Sequence, residues 1–179
     1  MKQGRKLKLL GTALCLSALM HGTWCDAADV VWRKAGLWEV DLWKDGEDAT
    51  RAVRVQQCTD ARSEPDVLLS IVPGQEHCAP LKMSRSPKRR VINTQCQVHG
   101  TPVKAQLTMD GDFAVSYRGN FNVQYLAQSV ASSPAGTTLF QARWIGPCRS
   151  GMVPGDMVLS NGITVNVLKD KKARDSEPL

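Results

Sequence analysis

From Gly36 onward, apolar side chains recur at every second position, and that period dictates strands. Val103, Ala105, Leu107 and Met109 alternate with Lys104, Gln106, Thr108 and Asp110. A strand with one face in a core and the other in water requires this pattern. Trp38, Val40 and Leu42 alternate with Glu39 and Asp41 in the same way, and Thr50 to Cys58 reads as a second strand. Phe113, Val115 and Tyr117 alternate with Ala114, Ser116 and Arg118. Phe121, Val123 and Tyr125 keep the period, and Phe140, Ala142 and Trp144 share a face. Turns punctuate the strands at Ser86-Pro87-Lys88, Asp110-Gly111, Gly119-Asn120 and Asn161-Gly162. Asp110-Gly111 carries the strongest of these signals, because a two-residue hairpin turn needs positive φ at its central positions.

Strands apolar on one side must close on themselves or stack on another layer. The expected fold is therefore mainly β: an antiparallel meander forming a curved sheet or small β-barrel, with a β-sandwich as the alternative. One short helix interrupts it. Ser63 precedes Glu64-Pro65-Asp66 and then Val67, Leu68, Leu69 and Ile71, and Pro73-Gly74 ends the run. Serine at the N-cap, proline in the first turn and an acid three residues after the cap predict a capping box.

The N-terminus predicts export. Lys2, Arg5, Lys6 and Lys8 precede an uncharged, largely apolar run from Leu9 to Met20. That run is too short to span a bilayer, which takes about 20 residues, and it has the form of a secretory signal peptide. Cys25 and Ala27 place cleavage before Ala28, so residues 1–27 are read as the leader. Residues 28–168 are read as a single β-rich domain, and 169–179, charged and without an apolar pattern, as a disordered tail. The leader takes four basic residues against Asp26, so half of the formal net charge of +6 leaves with it. What remains favours solubility and says little about partners. The mature chain is not expected to span a membrane.

Cys58, Cys78, Cys96 and Cys148 survive cleavage. An even number in an exported chain reads as two disulfides. Cys78 and Cys96 lie symmetrically about Pro87, which favours Cys78–Cys96 with Cys58–Cys148. Leu81 and Met83 have the opposite parity to Cys78, so this pairing requires a bulge near Pro80 to put Cys78 on the Cys96 face.

Several fragments, in their order and spacing, resemble one family. They are KAGLWEV with Gly36-Leu37-Trp38-Glu39, VQQC, Cys78, Cys96 with the following GDF and YRG hairpin, and ARWIGPC ending at Cys148. Together they resemble the domain-of-unknown-function 3617 family, small exported proteins of Gram-negative bacteria, over roughly Lys34 to Cys148. The resemblance implies a periplasmic or secreted location and no accepted activity, so no catalytic residue is carried over.

The residues themselves offer few candidates for chemistry. His77-Cys78 and Cys96-x-x-His99 supply zinc-type ligands, but adjacent strand positions diverge and oxidised cysteines offer no thiolate, so no metal is expected. No G-x-S-x-G elbow accompanies the histidines, and Asp110 and Asp112 flank a tight turn. No catalytic residue and no cofactor is assigned. Arg85, Lys88, Arg89 and Arg90 crowd one hairpin tip and are a candidate anion-binding cluster. No aromatics interleave with them, which argues against nucleic acid. Trp38, Phe113, Tyr117, Phe121, Tyr125, Phe140 and Trp144 are candidates to line an apolar pocket at a barrel mouth. The expected function is a non-catalytic binding or accessory protein of the bacterial cell envelope, taking a small apolar ligand, a lipid or an envelope protein. A hydrolytic or metal-dependent envelope enzyme is the alternative.

Overall fold

The computed structural model describes residues 33–70, 75–76, 78–98, 100–126 and 136–176. The expected leader and the two histidines His77 and His99 lie outside the described residues. In chain order the elements are β1 (Gly36–Lys44), a 3-10 turn (Ala49–Arg51), β2 (Val53–Thr59), α1 (Glu64–Leu69), β3 (Gln75–Glu76) and β4 (Lys82–Ser86). There follow β5 (Arg89–Val98), β6 (Thr101–Asp112), β7 (Ser116–Tyr125), β8 (Thr137–Gly146), β9 (Asp156–Val158), β10 (Thr164–Asn166) and α2 (Val167–Ser176).

All strands join one antiparallel sheet in the order β10-β9-β2-β1-β8-β7-β6-β5-β3, with β4 also paired to β5. The sheet is open: β10 forms one edge, and β3 and β4 together form the other. β4 to β8 run as a meander, and β8 returns to lie beside β1. The period-two pattern explains the layering. Trp38 and Val40 of β1, Val55 of β2, Ile92 of β5, Leu107 and Met109 of β6, Phe121 of β7 and Phe140 of β8 meet Val67 and Leu68 of α1 in one buried cluster. Side chains from six strands and from α1 thus share one buried cluster on the inner face of the open sheet.

Both disulfides form, Cys58 with Cys148 and Cys78 with Cys96. The parity conflict at Cys78 is resolved by irregular chain: residues 78–81 are not strand, and Ala79 N–H donates to Gln95 O at 2.7 Å before β4 begins. The Cys58–Cys148 bridge ties the end of β2 to the segment leaving β8. From there the chain returns through β9 to pair Met157 with Gln57.

Three local expectations need correction. The β6–β7 turn is not at Asp110-Gly111, because those residues pair with Arg118 and Tyr117, and the reversal falls at Phe113–Val115. Gly111 adopts φ +147°, and a Cβ there would meet Ser116 O at 2.6 Å. Its role is thus close approach of two strands rather than the reversal itself. The shift also carries Val115 to the surface while Phe113 and Tyr117 are buried. Gly119-Asn120 is likewise no turn: both lie within β7, and a side chain at Gly119 would overlap the Thr108 carbonyl. The capping box does not form at α1. Ser63 has helical backbone angles and no side-chain cap. Asp60 caps one turn earlier, accepting from Arg62 N–H at 3.0 Å and Ser63 N–H at 2.8 Å. Those amides hold the Asp60 carboxyl below its ordinary range.

Of the segment read as a tail, Lys169 to Ser176 belong to the helix α2. Asn166 Oδ1 accepts from Lys169 N–H at 3.1 Å as an N-cap, and Val167 is buried in the main core. Lysine, alanine and arginine then sustain the turns by propensity without an apolar stripe. The Asn161-Gly162 hairpin is present between β9 and β10.

Candidate functional site

The inner face of β2 breaks its own pattern. Val55 is followed at inward positions by Gln57 and Thr59, both buried. A buried polar side chain needs partners, and these come from three places. Arg33, just before β1, sends its guanidinium inward. Nη1 donates to the Tyr117 hydroxyl at 2.7 Å, Nη2 donates to Gln57 Oε1 at 2.8 Å, and Nε lies 2.5 Å from Glu64 Oε1. Thr59 donates to the other Glu64 oxygen at 2.5 Å. Gln57 Nε2 in turn donates to Val67 O at 3.5 Å. The Arg33 and Glu64 side chains are 1% and 2% exposed.

Electrostatics follows from that burial. Desolvation by itself would lower the Arg33 pKa, but the Glu64 carboxylate and Tyr117 outweigh it and the value is raised. Burial pushes the Glu64 carboxyl up, with the Arg33 charge opposing. Burial likewise pushes the Tyr117 phenol up to about 12. The Arg33 guanidinium also lies over the Trp38 ring, 5.4 Å from its centroid. Every titratable group in this cluster is engaged by a neighbour, so the arrangement locks α1, β2 and the entry to β1 together.

The aromatic candidates fill the interior. Tyr117 packs against Trp38, Phe113 and Phe140 with ring centroids 5.2, 5.5 and 6.0 Å apart. These four and Phe121 are all buried in the main core. Tyr125 belongs to a second cluster around Cys96 and Val103, and Trp144 lies at the margin beneath Lys34, whose Nζ sits 3.4 Å from its ring centroid. Five of the seven candidates thus belong to one buried cluster, with Trp144 packed against its margin and Tyr125 in the second cluster.

The basic hairpin tip also divides. Arg90 is buried and stacks over the Phe113 ring, 3.4 Å from its centroid. Burial and the nearby Arg85 lower its pKa. Arg89 turns to the outer face and pairs with Asp110 at 3.1 Å. Arg85 and Lys88 remain exposed at the tip. Cys78 and Cys96, the two thiols weighed as metal ligands, are consumed in their disulfide.

The outer face of the sheet carries an ordered charge pattern. Arg89, Asp110, Arg118, Gln141, Asp41 and Arg54 stand at successively opposed positions on six adjacent strands. Arg54 pairs with Asp41 at 2.6 Å, and one row along, Arg143 pairs with Glu39 at 2.8 Å. Glu39, flanked by Leu37-Trp38 and Val40 in sequence, is thus an outward carboxylate held in an ion-pair row. The hydrogen bond from Arg143 holds its pKa below the usual range.

The family model described as Protein of unknown function (DUF3617) matches residues 33–148, well over half of the chain. The chain belongs to this family. The match runs from the buried Arg33 to the half-cystine Cys148, so in this DUF3617 chain β9, β10 and α2 lie beyond the matched region. No curated protein and no solved structure gives a match.

Sequence reasoning missed Arg33, Gln57, Thr59 and Glu64 as a group. The available signal was Gln57 and Thr59 sharing parity with Val55, a polar pair at core positions. Nothing local connects them to Arg33.

Proposed function

We propose that this member of the DUF3617 family is an exported, disulfide-braced domain of the bacterial cell envelope that acts by binding and not by catalysis. The observation that carries the reading is the Cys58–Cys148 bridge, whose Cys58 is fully buried. Such bridges form and persist where thiols oxidise, in the periplasm or outside the cell. The basic-then-apolar N-terminus supplies the export signal. Among the described residues no helix is long and apolar enough to cross a membrane.

The binding half of the reading rests on how the interior is used. Arg33, Glu64 and Tyr117 are the ionisable groups a cleft would offer to a substrate, and each already spends its hydrogen bonds within the fold. The aromatic side chains beside them are packed against one another. That leaves recognition to the polar outer face. Fractionation of a Gram-negative host expressing the full chain with a C-terminal tag tests the location. Recovery by osmotic shock at the mass of the chain beginning at Ala28 is expected. A full-length chain retained in the cytoplasm contradicts the proposal.

A further inference from the structure

Beyond the ion-pair rows, the outer face changes character. Across β4, β5, β6 and β7 the residues Lys82, Asn93, Gln106 and Asn122 stand directly opposite one another. Two residues along, Gln95, Lys104 and Gln124 form a second row. All seven side chains are exposed, and together they line a groove walled on one side by Ala79 and Pro80. Among the described residues no acidic side chain lines it.

We propose that this groove binds an acidic oligosaccharide, a sugar chain bearing carboxylate or phosphate groups. The chemistry of the side chains carries the assignment. An amide side chain presents two N–H donors and an acceptor oxygen, so it matches hydroxyl groups, which also donate and accept. Five amides are arrayed in two rows, and only part of their capacity is used internally. Gln106 Nε2 donates to Asn93 Oδ1 at 2.9 Å, and Asn122 Nδ2 donates to Thr137 Oγ1 at 3.1 Å. Among the described residues, the Asn93 side-chain N–H groups, the Gln106 side-chain oxygen and the side-chain amides of Gln95 and Gln124 are left for a ligand.

The two lysines add the charge. Elsewhere on the same face Arg54, Arg89 and Arg143 each answer a carboxylate, whereas Lys82 and Lys104 stand among amides. Strand spacing puts their Cα atoms roughly 12 Å apart, beyond a Debye length of about 8 Å at physiological ionic strength. They are therefore two separate contacts along an extended anion and not one point charge. A peptide docks by pairing with a strand edge or by seating apolar side chains in pockets, and single-stranded nucleic acid stacks on aromatics. This groove lies on a sheet face and is lined by amides, lysines and small residues.

The inference rests on the reading of the chain as a binding domain. Its test is separate from the test of export, since it reads the ligand of one surface in purified protein. Titration of the oxidised, ¹⁵N-labelled protein with tri-galacturonate, followed by amide chemical shifts, is the experiment. Saturable shifts centred on outward residues of β5, β6 and β7 are expected, with Kd about 1 mM or tighter. Neutral maltotriose should bind at least about tenfold more weakly, as should tri-galacturonate to the Lys82→Glu/Lys104→Glu variant. Both lysines are exposed, so the variant's unaltered spectrum away from the groove reports that it is folded. No saturable shift, shifts centred elsewhere, or binding indifferent to the double substitution overturns the proposal. Hexaglutamate binding as tightly as the sugar overturns it in favour of an acidic polypeptide.

Discussion

The Arg33 guanidinium meets the Glu64 carboxylate at 2.5 Å where water scarcely reaches either side chain. Removing two charges from water is costly, and the pair holds only because each remaining polar atom is also met, by Tyr117, Gln57 and Thr59. Breaking the pair from one side leaves a buried charge. Glu64→Gln should therefore destabilise the fold by about 3–5 kcal/mol in urea unfolding. An Arg33→Met/Glu64→Leu double substitution should recover a large part of that loss. Additive losses in the double variant would show that the two side chains act separately.

Tyr117 sits in the same cluster with its phenol pushed up to about 12. The sign follows from linkage. A group whose folded pKa is raised stabilises fully below its unfolded value, near 10, and loses that contribution as pH rises through the folded value. Ultraviolet titration of the native protein should show one of the two tyrosines ionising late, together with falling stability between pH about 10 and 12. Tyr117→Phe should remove the late transition.

On the outer face the sign reverses. Hydrogen bonds from Arg54 hold Asp41 below the ordinary carboxylate range, and hydrogen bonds from Arg143 do the same for Glu39. Depressed carboxylates contribute stability above their unfolded pKa, near 4, and lose it as pH falls further. The melting temperature should drop below pH about 4, and Asp41→Asn should flatten that dependence. These pairs are largely solvated, so the effect at neutral pH should be small and sensitive to salt.

The two disulfides span very different loops, with sequence separations of 90 for Cys58–Cys148 and 18 for Cys78–Cys96. Chain entropy makes the longer loop worth more, by about 1.4 kcal/mol on the logarithmic dependence. Cys58→Ala/Cys148→Ala should accordingly melt lower than Cys78→Ala/Cys96→Ala in differential scanning calorimetry. Loss of the first pair also releases the chain leading to β9, so protection of the Gln57–Met157 strand contact in hydrogen exchange should fall with it.

Much of this fold is written in its period. Alternation along β1, β6 and β8 reports which face is buried because one-sided strands have no other way to hide apolar surface. The Cys78–Cys96 pairing was only half legible: the two half-cystines lie symmetrically about Pro87, but the register set by Ser86 opposite Arg89 would put Ala79 opposite Cys96, and the irregular chain at 78–81 makes up the one-residue difference. Glycines misled for a physical reason. Gly111 and Gly119 serve close approach of backbones within paired strands, and sequence does not distinguish that use from a reversal. The buried polar cluster was illegible as a unit because its members come from residues 33, 57, 59, 64 and 117 and meet only once the chain has folded. The lysine–amide groove is a property of register across four strands, and no single strand displays it.

The proposed function requires that the chain cross the inner membrane and then be locked by oxidation. Peptide mapping by mass spectrometry under non-reducing conditions, on protein recovered natively from cells, tests this most directly. The account predicts an N-terminus at Ala28 and two linked peptide pairs, Cys58 with Cys148 and Cys78 with Cys96. Four free thiols on a chain still beginning at Met1 would contradict it.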